Sequence, residues 1–221
     1  LLSATGFSRL DDVAMRCHIA SMSIKTICVY CGSGAGTDPR FVEAATAFGK
    51  ILAEQNIGLV YGGGSIGLMG AVATGVLDHG GKVTGIIPDF LTARENALDR
   101  VQEMIVTKDM HERKQLMFEY SDAFVALPGG VGTLEELVEQ MTWAQLGRHT
   151  KPILMANIAG FWNPLLALLA HMRETAFIRQ GLSVDILTAD RVEDIVPKLR
   201  HAASNAAAPA KTLESSLTGK L

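Results

Sequence analysis

The sequence predicts an α/β fold, a single domain with a mostly parallel sheet and helices on both of its faces. Three observations lead there. Short apolar runs alternate with helix-length segments between residues 24 and 200, the pattern of parallel strands joined by crossover helices. The 22 glycines gather where a strand would hand over to a helix, marking tight backbone turns. A chain of 221 residues with 48% hydrophobic content supplies one full core, and no linker is long enough to divide two domains.

Taken in order, Thr26–Cys31 reads as the first strand. Phe41–Gln55 reads as the first helix, because Phe41, Ala44, Ala45, Phe48, Ile51 and Leu52 fall on one face at helical spacing. Leu59–Tyr61 is a short strand, and Leu68–Leu77 a helix crowded with Ala, Gly and Val for close packing. Val83–Ile87 is a strand that Pro88 ends. Asp89 to Arg100 is irregular, Met104–Val106 a further strand, and Met110–Tyr120 a helix with Met110, Lys114, Met117 and Ser121 near one face. The strand Ala123–Leu127 leads through a glycine turn into the helix Leu134–Leu146. Pro152–Ala156, Pro164–Thr175, Ile186–Thr188 and Val192–Leu199 continue as strand, helix, strand and helix. The domain is expected over residues 23–201, after an extension (1–22, with Met22 as an alternative start) and before a tail (202–221).

In open parallel sheets ligands bind outside the carboxyl ends of the strands, where strand order reverses. Three glycine-rich turns are expected on that edge: Gly32-Ser33-Gly34-Ala35-Gly36, Gly62-Gly63-Gly64-Ser65-Ile66-Gly67 and Gly129-Gly130-Val131-Gly132. Backbone N–H groups uncovered by side chains, at a helix N-terminus worth about half a positive charge, suit a phosphate. Ser33, Gly63, Gly64, Gly129, Gly130, Gly132 and Thr133 are therefore candidate contacts to a phosphorylated ligand.

A carboxylate pair, Glu135 and Glu136, stands just behind the third turn. Thr133-x-x-Glu136 has the form of a capping box, in which Glu136 merely closes the helix N-terminus. The preceding Pro128-Gly129-Gly130-x-Gly132, which no cap requires, points instead to a carboxylate with chemistry to perform. Met110-His111-Glu112-Arg113-Lys114 puts two cations at the start of a helix, where the macrodipole disfavours them. They form either a solvated charged face or a site for an anion, with Arg113 able to bind bidentately and Lys114 acting as a point charge.

Gly62-x-Gly64-x-x-Gly67 matches the dinucleotide fingerprint, with Asp89 about 20 residues on, although it follows the second strand and not the first. An NAD(P)-dependent oxidoreductase is thus one alternative. A nucleotide carrier without chemistry is another. The net charge of -3 offers no basic field for nucleic acid or acidic membranes. No apolar run reaches the roughly 18 residues of a membrane span. Cys28-Val29-Tyr30-Cys31 lies on a strand, so its thiols point to opposite faces and share neither a metal nor a disulfide. The 6 histidines show no metal-ligand spacing, so no metal is expected. Sparse cysteine fits a reducing cytoplasm.

Pro128-Gly129-Gly130-x-Gly132-Thr133-x-x-Glu136, the Arg113-Lys114 pair, the Gly62-Gly63-Gly64 turn, Cys31-Gly32-Ser33 and Thr142-Trp143-Ala144-Gln145-Leu146-Gly147 together resemble the Lonely Guy family. These are cytokinin riboside 5′-monophosphate phosphoribohydrolases, long mislabelled as lysine decarboxylases. The resemblance covers residues 25–200. It implies a modified Rossmann fold, a homodimer, and hydrolysis of the N-glycosidic bond in AMP or N6-substituted AMP without a cofactor. By the same resemblance Arg113 and Glu136 are the catalytic positions. It implies nucleotide contacts at Lys114, the Gly129–Thr133 loop, Glu95 and Thr142, and Met110 and Glu135 are further candidate substrate contacts. Lysine decarboxylation would need a pyridoxal cofactor on a lysine, and no such site is evident.

Overall fold

Seven short runs rich in β-branched and aliphatic residues extend into strands: β1 (Thr26–Tyr30), β2 (Gly58–Tyr61), β3 (Val83–Pro88), β4 (Glu103–Thr107), β5 (Ala123–Ala126), β6 (Ile153–Ala156) and β7 (Leu187–Ala189). All pair in parallel, in the order β4-β3-β2-β1-β5-β6-β7. This computed structural model describes residues 24–92, 100–178 and 186–206. The expected extension at 1–22 and Glu95 lie outside them. The crossovers carry α1 (Pro39–Glu54), α2 (Gly67–Asp78), the short α3 (Asp89–Thr92), α4 (Met110–Glu119), α5 (Val131–Gln145), α6 (Asn163–Glu174) and α7 (Ile195–Ala206).

The period-2 geometry of each strand divides the core into two layers. Ile27 and Val29 of β1, with Cys31 just after it, enter one cluster with Phe48, Leu52, Val72 and Leu199, covered by α1, α2 and α7. Cys28 and Tyr30 enter the other, with Met117 of α4 and Leu137 of α5. The two thiols therefore stand on opposite faces, as strand spacing requires, and both are free. The helices α1 and α2 meet backbone to backbone. A methyl group at Gly49 would collide with the Val72 carbonyl, and one at Gly75 with that of Thr46.

Strand order grows outward from β1 to β4, then the chain returns to place β5 on the other side of β1. The switch point lies between β1 and β5, where Ile27 is in register with Leu59 on one side and Ala123 on the other. The loops after these two strands bound a crevice.

Most element ends shift by a residue or two from the sequence expectation, and three places differ by more. Helix α5 begins at Val131, three residues before Leu134, because Leu134 N–H already bonds to the Gly130 carbonyl at 3.0 Å. Glycine content suggested a loop there, but Gly132 and Thr133 are helical. Helix α7 runs to Ala206, into the stretch read as tail, after a 3₁₀ turn at Val192–Asp194. The segment after β3, expected to be irregular, opens with α3.

Candidate active site

Four helices start at the carboxyl edge after β1, β2, β4 and β5, and three have their first turns satisfied by the protein. Asp38 caps α1 by accepting from Arg40 N–H at 3.0 Å. The Gly32 carbonyl accepts from Leu68 and Met69 N–H at the head of α2, while Gly32 N–H donates to the Pro128 carbonyl at 3.1 Å. Asp109 caps α4 through Glu112 N–H at 2.9 Å, and Glu112 accepts from Lys108 N–H at 2.8 Å. That hydrogen bond to Glu112 holds the Asp109 carboxyl below its ordinary value. Helix α5 is the exception. Its N-cap is Gly130, with no side-chain cap, and Gly130, Val131 and Gly132 are exposed. The uncovered amides and the positive end of α5 are what an anion would meet.

Because α5 starts at Val131, Thr133 is an interior residue of the first turn, and the capping box does not form. Glu136 is directed elsewhere. Its Oε1 accepts from Arg113 Nη1 at 2.7 Å, and Arg113 Nε donates to the Ile86 carbonyl at the end of β3 at 3.1 Å. Both residues are buried, Arg113 with 8% and Glu136 with 7% of their surface exposed. Burial pushes the Glu136 carboxyl above its ordinary value, with the Arg113 guanidinium pulling against it. Thr133, Glu136 and Gln140 form a buried polar line down the sheet-facing side of α5, between apolar neighbours.

The second cation of α4, Lys114, donates to Glu135 at 2.5 Å and Glu139 at 3.0 Å. Burial works against its charge, but those hydrogen bonds outweigh it and raise its proton affinity. Arg113 and Lys114, read from sequence as either a solvated face or an anion site, are thus paired with protein carboxylates on α5. Glu139 was not foreseen; its spacing four residues after Glu135 is the signal that would have found it.

Ser33, Gly129 and Gly130 line a cleft of about 340 Å³ at the switch point, closed on its apolar side by Phe41, Leu68 and Phe161. Phe161 is fixed by its neighbour, since Trp162 Nε1 donates to the Ala126 carbonyl at 3.2 Å. Lys114 lines a second, open groove of about 510 Å³ between α4 and α5, with His111, Trp143 and Arg148. Arg113 and Glu136 line neither; the Arg113 guanidinium lies against the Gly62 backbone. Gly63 and Gly64 are buried at the end of β2, and Met110 is half-buried at the start of α4. Thr142 is not brought to this place. It lies on the outer side of α5, donates to the Val138 carbonyl, and lines a small pocket with Leu169 and Met172 of α6.

The Gly62–Gly67 fingerprint has a packing explanation. Gly67 has φ +59° and lies against the Ser33 carbonyl, so a side chain there would collide with the β1 loop. The turn follows β2, away from the β1/β5 switch point where a dinucleotide fold puts its fingerprint.

The family model described as "Possible lysine decarboxylase" matches residues 69–199. The cytokinin riboside 5′-monophosphate phosphoribohydrolase LOG1 of Arabidopsis thaliana is 47% identical over 175 residues, covering 79% of this chain and 82% of that protein. The corresponding enzyme LOG of Oryza sativa subsp. japonica is 47% identical over 177 residues, 80% of this chain and 73% of that one. The chain belongs to the Lonely Guy family. As a Lonely Guy protein it carries the glycine turn and Glu136 on α5 and the Arg113-Lys114 pair on α4, two adjacent helices of one sheet face. Among solved structures, a molybdenum cofactor binding protein from Rippkaea orientalis superposes with a TM-score of 0.62 at 24% identity, covering 81% of this chain and 98% of that one. A molybdenum cofactor carrier protein from Chlamydomonas reinhardtii gives 0.62 at 21% identity, with 82% and 99% covered. Those likenesses establish the Rossmann-type fold. Among the described residues, no helix is long and apolar enough to cross a membrane.

Proposed function

We propose that this chain hydrolyses the N-glycosidic bond of adenosine 5′-monophosphates, N6-substituted ones included, to a free adenine-type base and ribose 5-phosphate. The observation that supports it most is the buried Glu136–Arg113 pair one turn behind the uncapped amides of α5. The named activity of relatives 47% identical points the same way.

In this reading the 5′-phosphate rests on the amides of Gly130 to Thr133, where no side chain competes. Cleavage of C1′–N9 builds positive charge on the ribose. Glu136 faces that charge and takes a proton from the attacking water as its oxygen bonds to C1′. The bonding pair of C1′–N9 leaves with the base, which takes up a proton. Arg113 holds an oxygen of the phosphoribosyl group and keeps Glu136 ionised.

The protein works in the cytoplasm as a homodimer. Its contact face is the outer side of α5 and α6, where Val138 is 41% exposed beside Thr142 and Leu168 of α6 is 47% exposed. A partner docked there would give Thr142 a nucleotide to touch. Sedimentation should give twice the chain mass, and a monomer at working concentration refutes the dimer. Incubation with AMP and with isopentenyladenosine monophosphate, followed by chromatography, should release free base. Folded protein that leaves both intact contradicts the proposal, and bound but intact nucleotide would make the chain a carrier.

A further inference from the structure

Gly62 follows Tyr61 at the end of β2 and is buried. Its backbone demands nothing unusual: Gly63 beside it has φ +84°, but Gly62 is not among the positive-φ residues. Conformation alone would admit a side chain. Space does not. A Cβ on Gly62 would lie 2.5 Å from Nη2 of Arg113, 3.7 Å from its Cζ and 3.1 Å from Sδ of Met69. The guanidinium is held on its other edges, with Nε on the Ile86 carbonyl and Nη1 on Glu136. It cannot withdraw from a methyl group at Gly62 without giving up one of those bonds. Nη2 has no hydrogen-bond partner among the described residues.

We infer that Gly62 is a positioning residue: its bare backbone seats the Arg113 guanidinium, aiming Nη1 at Glu136 and leaving Nη2 for an oxygen of the phosphoribosyl group. This rests on Arg113 and Glu136 being the reacting pair. It gives the first glycine of the Gly62-Gly63-Gly64 turn a task other than binding phosphate. The seat acts through Arg113, so Gly62 itself need not touch substrate.

The test is Gly62→Ala with isopentenyladenosine monophosphate. Misplacing the guanidinium by about 1 Å should lower kcat on the order of 100-fold, with KM changed much less. The pH profile separates a seat from mere packing. The charged groups facing Glu136 are Arg113 and Lys114 from α4 and Glu135 on its own helix, with neutral Cys28 and Tyr30 on β1. Displacing Arg113 removes the main force opposing protonation of Glu136. The acid limb of kcat/KM should therefore move to higher pH, as it would not if the variant were only less stable.

Lysine has no Nη2, so adding Gly62→Ala to Arg113→Lys should cost no further turnover. A full multiplicative loss in the double variant overturns the seat. Should Gly62→Ala fail to fold, Gly62→Ala/Arg113→Lys decides: recovery of a cooperative melt supports the seat, and continued failure overturns it in favour of packing against Met69. Arg113→Ala is the control for the underlying reading. Unimpaired turnover there sinks the reacting pair itself. An inactive Arg113→Ala beside a Gly62→Ala variant with parental kcat and pH limb sinks only the seat.

Discussion

Replacing Glu136 by Gln removes one negative charge and keeps the shape. At the Nη1···Oε1 distance of 2.7 Å, two unit charges attract by about 6 kcal/mol at an effective dielectric constant of about 20. The cost of burying the carboxylate outweighs that attraction, because the Glu136 carboxyl is raised in the folded protein. The Gln carbonyl can still accept from Nη1 and needs no buried negative charge, so stability should change by no more than about 1 kcal/mol. For a domain of this size that is about 2–4 °C in Tm for each kcal/mol. Turnover should respond far more strongly. A carboxylate facing positive charge on the sugar is worth on the order of 100- to 1,000-fold in kcat, while a helix cap is worth about 1 kcal/mol of stability and nothing in rate. The assay is free base released from isopentenyladenosine monophosphate, measured beside a thermal melt. A Glu136→Gln enzyme with turnover near the parental value would refute the assignment, whatever its Tm.

The remaining expectations are more compact. Burial raises the Glu136 carboxyl in the folded protein. Activity that needs the carboxylate should fail, as pH drops, above the usual glutamate range of about 4.3; a limb at or below that value in kcat/KM contradicts the assignment. The same shift makes ionised Glu136 a cost to folding. Its contribution to stability is present below the unfolded value and is lost as pH rises through the folded one, so the parent's Tm relative to Glu136→Gln should fall over that interval. Trp162→Phe removes the hydrogen bond to the Ala126 carbonyl and should cost about 1–3 kcal/mol, read as a lower denaturation midpoint; an unchanged midpoint would show that the bond contributes nothing. Gln140 is fully buried, and its side-chain amide has no hydrogen-bond partner among the described residues. Gln140→Met keeps the length and removes that liability, so Tm should rise by about 2–4 °C per kcal/mol relieved; a fall would mean that the amide has a task.

The fold was legible because its signals are local and repeated. Alternation on β1 put Cys28 and Cys31 on opposite faces, and the spacing of Phe48 and Leu52 marked the buried side of α1. Helix α5 exposed the limit of that approach. Its start is set by a hydrogen bond into Gly130 that glycine content conceals, and the same three-residue shift turned an apparent capping box into a carboxylate aimed across to α4. The ion pair itself joins residues 113 and 136, whose meeting depends on strand order and not on sequence spacing. The cations at the head of α4 pair with Glu136, Glu135 and Glu139, and which carboxylates they meet needed three dimensions. Gly62 was visible only as part of a motif. The arginine that requires it lies 51 positions further on, a separation (113 less 62) that no local pattern spans.

The division of β1 between two layers has a practical consequence. Cys28 and Cys31 are each sealed beneath a different set of helices, and burial keeps both thiols protonated. A maleimide can label Cys28 only after the α4–α5 cover opens, and Cys31 only after the α1–α2 cover does. With Cys17 replaced by Ser, single-cysteine derivatives would time the exposure of each side of the sheet separately. Equal labelling rates would mean that the molecule opens in one piece, and unequal rates would show which half breathes first.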